Sequence, residues 1–276
     1  MRLARFFASG GDLARLKQLI ASSFEPGMRI ELAEDDLIKQ LRSVLRLGQG
    51  HRFILLDGDG GTFELEIERM EKNRVHCLFS KAVASVSSGH NKVNVALALI
   101  KQDRFEWCLE KLTEIGVNEI TPVQCRHCVA RLSVAGQGDE RVAGKLVRWQ
   151  AIVKEAAEQS ERGTIPPVVK PQSLDDYLQR STSGGTDQWR FICAERYDAA
   201  PLVKALPEKI SSSDPFGGDR DKTICLLIGP EGGFAADEIA AAIAQGWLPV
   251  TLGSRILRSE TAAIVAMSQV ASILDI

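Results

Sequence analysis

Two segments near the carboxyl end concentrate the residue types that could do chemistry. The first is Leu226-Leu227-Ile228-Gly229-Pro230-Glu231-Gly232-Gly233-Phe234, and the second is Leu252-Gly253-Ser254-Arg255-Ile256-Leu257-Arg258-Ser259-Glu260-Thr261-Ala262. In each, an apolar strand stops at glycines, a carboxylate or arginine is left in the turn, and an alanine-rich helix follows. Glycine lets backbone groups approach a ligand closely at a strand end, which is where open α/β sheets place their sites. Two such turns predict a single pocket.

The first segment lacks the lysine and hydroxyl of a P-loop, no G-x-G-x-x-G follows a strand, and no G-x-S-x-G elbow is present. What remains is a glycine-lined apolar cleft with Glu231, Arg255, Arg258 and Glu260 at its rim. Such a cleft suits a cofactor with an adenine ring and few charges, held mainly by backbone groups.

The elements that must position these turns read as an alternation of strands and helices. Strands are expected at 94–100, 120–124, 191–194, 223–228 and 248–252, with helices at 105–115, 141–160, 236–245 and 261–274. That order means a mostly parallel α/β sheet. Residues 181–188 and 211–222 read as loops. Upstream, 53–56, 62–68 and 75–79 read as short strands. Phe63, Leu65 and Ile67 alternate with Glu64, Glu66 and Glu68, which places the apolar residues on one face. Asp57-Gly58-Asp59-Gly60-Gly61 is the hairpin loop between the first two. Residues 1–80 are therefore expected to form a small, mainly β, barrel-like domain with a helix at 35–47. Residues 81–92 are expected to be a linker, and 93–276 the α/β domain.

The chain has 276 residues, 45% hydrophobic and 25% charged, enough for one large or two small domains. Its longest apolar runs, 93–100 and 224–228, fall short of the roughly 18 residues of a membrane span, and no signal-peptide core precedes Gly10; a cytoplasmic location is expected. The six cysteines lie in apolar contexts, as buried thiols of a reducing compartment do. Cys125-Arg126-His127-Cys128 has C-x-x-C spacing, but no second half-site completes a zinc set, so no metal is expected. His51, His76 and His90 have no motif around them.

Net charge is −2, yet residues 1–52 carry nine Lys or Arg against six acids. A second basic stretch runs Arg141, Lys145, Arg148, Lys154, Arg162, Lys170. Cations gathered this way can follow a phosphate backbone, and Arg2, Arg5, Arg42, Arg46 and Arg148 are the candidate contacts. A solvated basic face is the plainer reading of the same residues.

The two C-terminal motifs together resemble the RsmE family of SPOUT methyltransferases. Lys101-Gln102-Asp103-Arg104-Phe105-Glu106 with Lys111-Leu112-Thr113-Glu114-Ile115-Gly116-Val117 is similar to the family's first helix. Glu155-Ala156-Ala157-Glu158-Gln159-Ser160 with Arg162 is similar to its E-A-x-E-Q-S-x-R segment, and Val44-Leu45-Arg46 to the V-L-R of its PUA-like RNA-binding domain. Three departures stand out: Lys39 and Gln40 where histidine is common, Ser259 where threonine is common, and an insertion at 8–24.

The resemblance implies S-adenosyl-L-methionine as cofactor and methylation of uridine N3 in 16S ribosomal RNA of the small subunit. It also implies a deep trefoil knot in the C-terminal SPOUT domain, a topology that sequence pattern alone would argue against, and a homodimer with sites at the subunit interface. Methylation of another RNA, or a non-catalytic ribosome-assembly role, are the alternatives. Cofactor binding then falls to Ala194, Gly229, Pro230, Glu231, Gly232, Gly233, Leu252, Gly253, Ile256 and Leu257. N3 of uracil carries an imide proton, so a base or an anion-stabilising cation must stand near the methyl group. Glu231 and Glu260 are the candidate bases, and Arg258 and Arg162 the candidates for the anion or the target phosphate. Each has a plainer role too: Glu260 can complement a helix dipole, Glu231 can brace the glycine turn, and Arg258 can pair with Glu231. Trp107 and Trp149 are expected in cores or an interface.

Overall fold

The computed structural model describes residues 3–21, 25–83, 91–130, 140–182, 188–213 and 222–275. It divides into two compact units: Met1–Ser87 with Ala157–Ile165, and Ser88–Ala156 with Pro166–Ile276.

The first unit is built on β1 (Arg5–Phe7), β2 (Arg29–Leu32), β3 (Arg52–Leu56), β4 (Thr62–Met70) and β5 (Val75–Ala82), in the order β1-β3-β4-β5-β2. β1 and β2 are its two edges, and no ladder between them closes a barrel among the described residues, so the expected barrel is a sheet. The hairpin between β3 and β4 forms as expected. Asp57 Oδ1 accepts the amides of Asp59 and Gly61, each at 2.8 Å, an aspartate turn that fixes the loop. Phe63, Leu65 and Ile67 are buried as the alternation requires, but Glu64 is buried too, held by Arg52 at 3.2 Å and Lys81 at 3.4 Å. A buried carboxylate is tolerated there because it is paired.

Two elements of this unit differ from expectation. Residues Gly10–Ala21, inside the stretch read as an insertion, form helix α1, whose Asp12 is buried and accepts the amides of Ala33 and Glu34. The helix expected at 35–47 is α2 (Asp35–Lys39) running into one wide π-helical turn (Gln40–Val44), and it stops before Arg46, whose φ is +54°. The linker is also shorter. Lys81 and Ala82 pair with Glu64 and Phe63 inside β5, Lys92 opens the next strand, and residues 84–90 lie outside the described residues.

The second unit holds β6 (Lys92–Ala98), β7 (Glu119–Gln124), β8 (Gln172–Ser173), β9 (Gln188–Cys193), β10 (Thr223–Ile228) and β11 (Leu248–Val250) in the order β11-β9-β10-β6-β7-β8, every pair parallel. The helices are α3 (Gln102–Ile115), α4 (Glu140–Gln159), α5 (Leu174–Thr182), α6 (Leu202–Ser213), α7 (Ala236–Ala244) and α8 (Ser259–Leu274). The regions read as loops at 181–188 and 211–222 begin inside α5 and α6; α5, α6 and β8 were not expected.

Helix α8 shows why this sequence folds over the sheet. Ala262, Ala263, Ala266, Met267, Val270 and Ala271 recur at helical spacing and are all buried. Small side chains let the helix lie close to α3, β6 and β10. Trp149 is buried with its ring 4.7 Å from that of Phe105, while Trp107 is 44% exposed.

Candidate functional site

Strand register sets the site. Cys193, the last residue of β9, lies level with Ile228 at the end of β10 on one side and with Val250 at the end of β11 on the other. Three neighbouring parallel strands therefore release their chains at one height. Their loops, 194–198, 229–235 and 251–258, meet over the sheet's carboxyl edge, where open α/β sheets bind ligands.

Between them lies a cleft of about 250 Å³ lined by Cys193, Ala194, Glu195, Arg196, Tyr197, the run Ile228–Phe234, Ile239, Ile256, Leu257, Ser259 and Ala262. Both glycine turns are in it, as their shared pattern predicts. Of the residues expected to bind cofactor, Ala194, Gly229, Pro230, Glu231, Gly232, Gly233, Ile256 and Leu257 line the cleft. Leu252 and Gly253 do not; Leu252 is buried and Gly253 shapes the loop with φ +132°.

The first turn depends on glycine at two places. Gly233 donates its amide to the Pro230 carbonyl at 2.9 Å with φ +71°, a left-handed conformation that a side chain would strain. A Cβ on Gly232 would stand 2.9 Å from the His127 Cβ. Behind the turn, His127 Nδ1 donates to the Gly233 carbonyl at 3.1 Å. Glu238 accepts the Ala235 amide at 2.8 Å with one carboxylate oxygen, which secures the start of α7.

The polar groups are arranged differently from the sequence-based pairing. Arg104 on α3 stands between the two candidate carboxylates, its Nη1 3.9 Å from Glu231 Oε1 and its Nε 3.6 Å from Glu260 Oε1. Glu260 Oε2 is buried and hydrogen-bonds to nothing among the described residues. Arg258 does not pair with Glu231. It caps α8 with extended backbone and, like Arg255, is exposed with no carboxylate partner among the described residues. Arg162 is not among the residues that line the cleft. It belongs to the first unit, in the segment Ala157–Ile165, where burial lowers its guanidinium to about 10.

Two side chains at or beside the cleft had no sequence assignment. Arg104 sat inside a quoted motif, but its role depends on topology bringing α3 to the two turns. Glu195 follows the predicted strand end at Ala194 and lines the cleft; burial raises its carboxyl above the usual glutamate range, offset by its own backbone amide and by Arg196.

The expected phosphate contacts are placed as follows. Arg2 lies outside the described residues. Arg5 pairs with Glu161 at 3.1 Å, Arg42 donates to the carbonyls of Glu71 and Lys72, and Arg148 pairs with Glu106 at 2.7 Å. Arg46 is exposed and unpaired among the described residues. All six cysteines are buried and reduced, and no group of three metal-ligating side chains occurs among the described residues. No described helix is long and apolar enough to cross a membrane.

Comparison with known proteins places this arrangement among RNA-modifying enzymes. Residues 87–271 match the RNA methyltransferase domain family, and residues 35–80 match the RNA methyltransferase PUA domain. A ribosomal RNA small subunit methyltransferase E from Synechocystis is 31% identical, the match covering 92% of this chain and 80% of the relative. Its counterpart from Bacillus subtilis is 30% identical over 84% of this chain and 86% of its own. Among solved structures, a methyltransferase from Legionella pneumophila with bound SAM superposes with TM-score 0.77 at 27% identity, covering 99% of this chain and 98% of that one. A ribosomal RNA small subunit methyltransferase E from Neisseria gonorrhoeae bound to S-adenosyl methionine does so with TM-score 0.78 at 25% identity and the same coverage.

Proposed function

The chain belongs to the ribosomal RNA small subunit methyltransferase E family of RNA methyltransferases, and we propose that it methylates N3 of a uridine in 16S ribosomal RNA with S-adenosylmethionine. The observation that carries this reading is the cleft at the ends of β9, β10 and β11, whose glycine-rich wall includes Glu231, with Arg104 standing between Glu231 and Glu260. Its donor set fits the cofactor. Backbone groups and apolar walls suit an adenosyl group, and carboxylates at the rim suit a sulfonium cation.

When bound, the cofactor supplies the methyl carbon on a sulfonium. The chain's task is to align the target nitrogen, keep water out and take the N3 proton. Glu260 is the proton acceptor in this reading. A buried carboxylate oxygen without a donor is rare in folded proteins, and the imide N–H is the donor that would satisfy Oε2. Arg104 positions both carboxylates from one guanidinium. Arg258, unpaired at the mouth, stabilises the uracil anion as the proton leaves. The uridine must be unstacked to enter.

The remaining expectations belong to the same proposal. The first unit is the PUA-like RNA-docking part, and the protein acts as a homodimer in the cytoplasm. The trefoil knot finds support in the strand order: after β10 the chain returns past β9 to form β11, and Leu202 and Thr251 are joined by a 2.9 Å backbone bond where the returning chain passes the start of α6. Calorimetry with S-adenosylmethionine, followed by mass-spectrometric mapping of ribosomal RNA from cells with and without the gene, tests the proposal. Cofactor binding with loss of one N3-methyluridine in the deleted strain is expected. A lost methyl on transfer RNA, or a protein that binds no cofactor, would replace this reading with one of the two alternatives.

A further inference from the structure

The Cys125-Arg126-His127-Cys128 turn has no part in the chemistry above, yet it backs directly onto the cofactor cleft. The Cys128 amide donates to the Cys125 carbonyl at 3.2 Å, closing a four-residue turn, and the Cys125 amide donates to Cys128 Sγ at 3.2 Å. Such a turn brings its end Cα atoms within about 7 Å, and disulfides bridge Cα atoms about 4.4–6.8 Å apart. His127 grips the cofactor loop, and Arg126 grips the first turn of the helix that follows it. His127 holds the Gly233 carbonyl and fills the space where Gly232 lacks a Cβ, so there is no slack at that contact. The Arg126 amide donates to Glu238 Oε1 at 2.8 Å while Glu238 Oε2 accepts the Ala235 amide, and the Arg126 guanidinium pairs with Asp237.

The pair is also set apart from the other thiols. Cys77, Cys108 and Cys225 are pushed up by burial to about 12, 12 and 11, with no cysteine neighbour. Cys128 is lowered, because the Cys125 thiol and backbone amide both donate to its sulfur. Cys125 in turn holds its proton. An open cleft of about 520 Å³, lined by Gln124, Cys125, Arg126, Ser173 and Asp175 among others, brings small solutes to the Cys125 side of the turn.

We propose that Cys125 and Cys128 form an oxidative modification site, a dithiol that a peroxide closes to a disulfide, and that closing it shifts the Gly232–Gly233 turn and weakens cofactor binding. The cofactor part rests on the function proposed above. The Cys128 thiolate attacks one peroxide oxygen, the O–O bond breaks, and hydroxide leaves to take up the proton that Cys128 had released. The Cys125 sulfur then displaces the hydroxyl from the sulfenic acid as a second water, giving up its own proton. Two thiols are oxidised to one disulfide while one hydrogen peroxide is reduced to two waters. The new bond pulls Cys128 Sγ off the Cys125 amide, and the turn carrying Arg126 and His127 must rotate with it.

The test uses the full chain. Reduced protein treated with hydrogen peroxide and digested without reductant is expected to yield a Cys125–Cys128 linked peptide that dithiothreitol reopens. Calorimetry should find S-adenosylmethionine bound about tenfold more weakly after oxidation, a difference easily resolved as affinity, and restored by reduction. Protein carrying Cys125→Ser and Cys128→Ser should keep the reduced affinity after peroxide; Cys128→Ala serves if that pair fails to fold. In cofactor-free protein, hydrogen exchange at the Gly233 and Ala235 amides should quicken on oxidation. Absence of the disulfide, or a disulfide that leaves affinity unchanged, overturns the inference. If reduced protein binds no cofactor, the proposed function falls instead, and exchange at those two amides alone decides whether the turn is coupled to the thiols.

Discussion

Around the N-terminal sheet, arginine faces carboxylate: Arg29 meets Glu68 at 2.6 Å, Arg52 meets Glu66 at 3.0 Å and Glu64 at 3.2 Å, and Arg74 meets Glu31 at 2.8 Å. At the C-terminal cleft, Arg255 and Arg258, flanking the lining residues Ile256, Leu257 and Ser259, are exposed and face no carboxylate among the described residues. Of the nine cations counted in the first 52 residues, five (Arg5, Arg15, Lys17, Arg29 and Arg52) are engaged in ion pairs, each worth little at a solvated surface. The cleft carries fewer cations but leaves them available to an anion. What attracts a phosphate or a developing uracil anion is unpaired charge, and a residue count does not measure it.

The largest test of this contrast is Arg258→Ala against Arg29→Ala. Removing a preorganised cation from a developing anion typically lowers turnover by on the order of a hundredfold or more, so Arg258→Ala should lose that much in single-turnover methylation with S-adenosylmethionine affinity unchanged. Arg29→Ala should keep wild-type turnover. Equal losses in the two variants would mean that paired and unpaired arginines contribute alike, and the contrast would be gone.

Gly232→Ala probes the cleft's other half, its backbone. The added Cβ would stand 2.9 Å from the His127 Cβ, so the turn must move away from its support. Cofactor affinity should fall about tenfold, the effect of a lost contact of ordinary strength, while circular dichroism stays native. An unchanged dissociation constant would show that the turn does not hold the cofactor.

A weaker effect is expected on the first unit. Arg46 is exposed, unpaired and carried on a left-handed residue just past a π-helical turn, next to Val44 and Leu45, which are 66% and 42% exposed. Arg46→Ala should weaken binding to ribosomal RNA several-fold and reduce the slope of log affinity against log salt by about one, as loss of one phosphate contact does. Arg42→Ala, whose guanidinium is committed to the Glu71 and Lys72 carbonyls, should leave that slope alone.

The same contrast explains what could be read from the sequence. β10 was expected at its observed bounds, because a fully buried parallel strand is a continuous apolar run ended by glycine. Helix α1 was not, since it starts on Gly10-Gly11 and buries only Asp12 and Leu16, too thin a stripe to show a period. Helix α6 carries Pro207, which reads as a break. The convergence of the two glycine turns was legible because each turn is a local pattern. The Arg104 bridge and the position of Arg162 were not, because each depends on which distant segment folds against which, and no spacing in a single chain encodes that.

The smallest effect separates two glutamates whose titration is shifted in opposite directions. Glu68 is held below the ordinary value of 4.5 by its hydrogen bond from Arg29. Its stabilising pair is present at neutral pH and is lost as pH falls through the lowered value. Glu195 is raised above 4.5 because burial disfavours its charge and Arg196 only partly compensates. Below 4.5 the folded and unfolded chains both hold its proton; as pH rises from there to the raised value, the unfolded chain releases the proton first, so stability falls across that window. In cofactor-free protein, Glu195→Gln should therefore melt at the wild-type temperature in acid and increasingly above it toward neutrality, by on the order of a degree for a chain of this size. Glu68→Gln should melt slightly below wild type at neutral pH and converge with it in acid. Parallel melting curves for Glu195→Gln and wild type at every pH would mean that the cleft keeps its carboxylate as well solvated as the surface does.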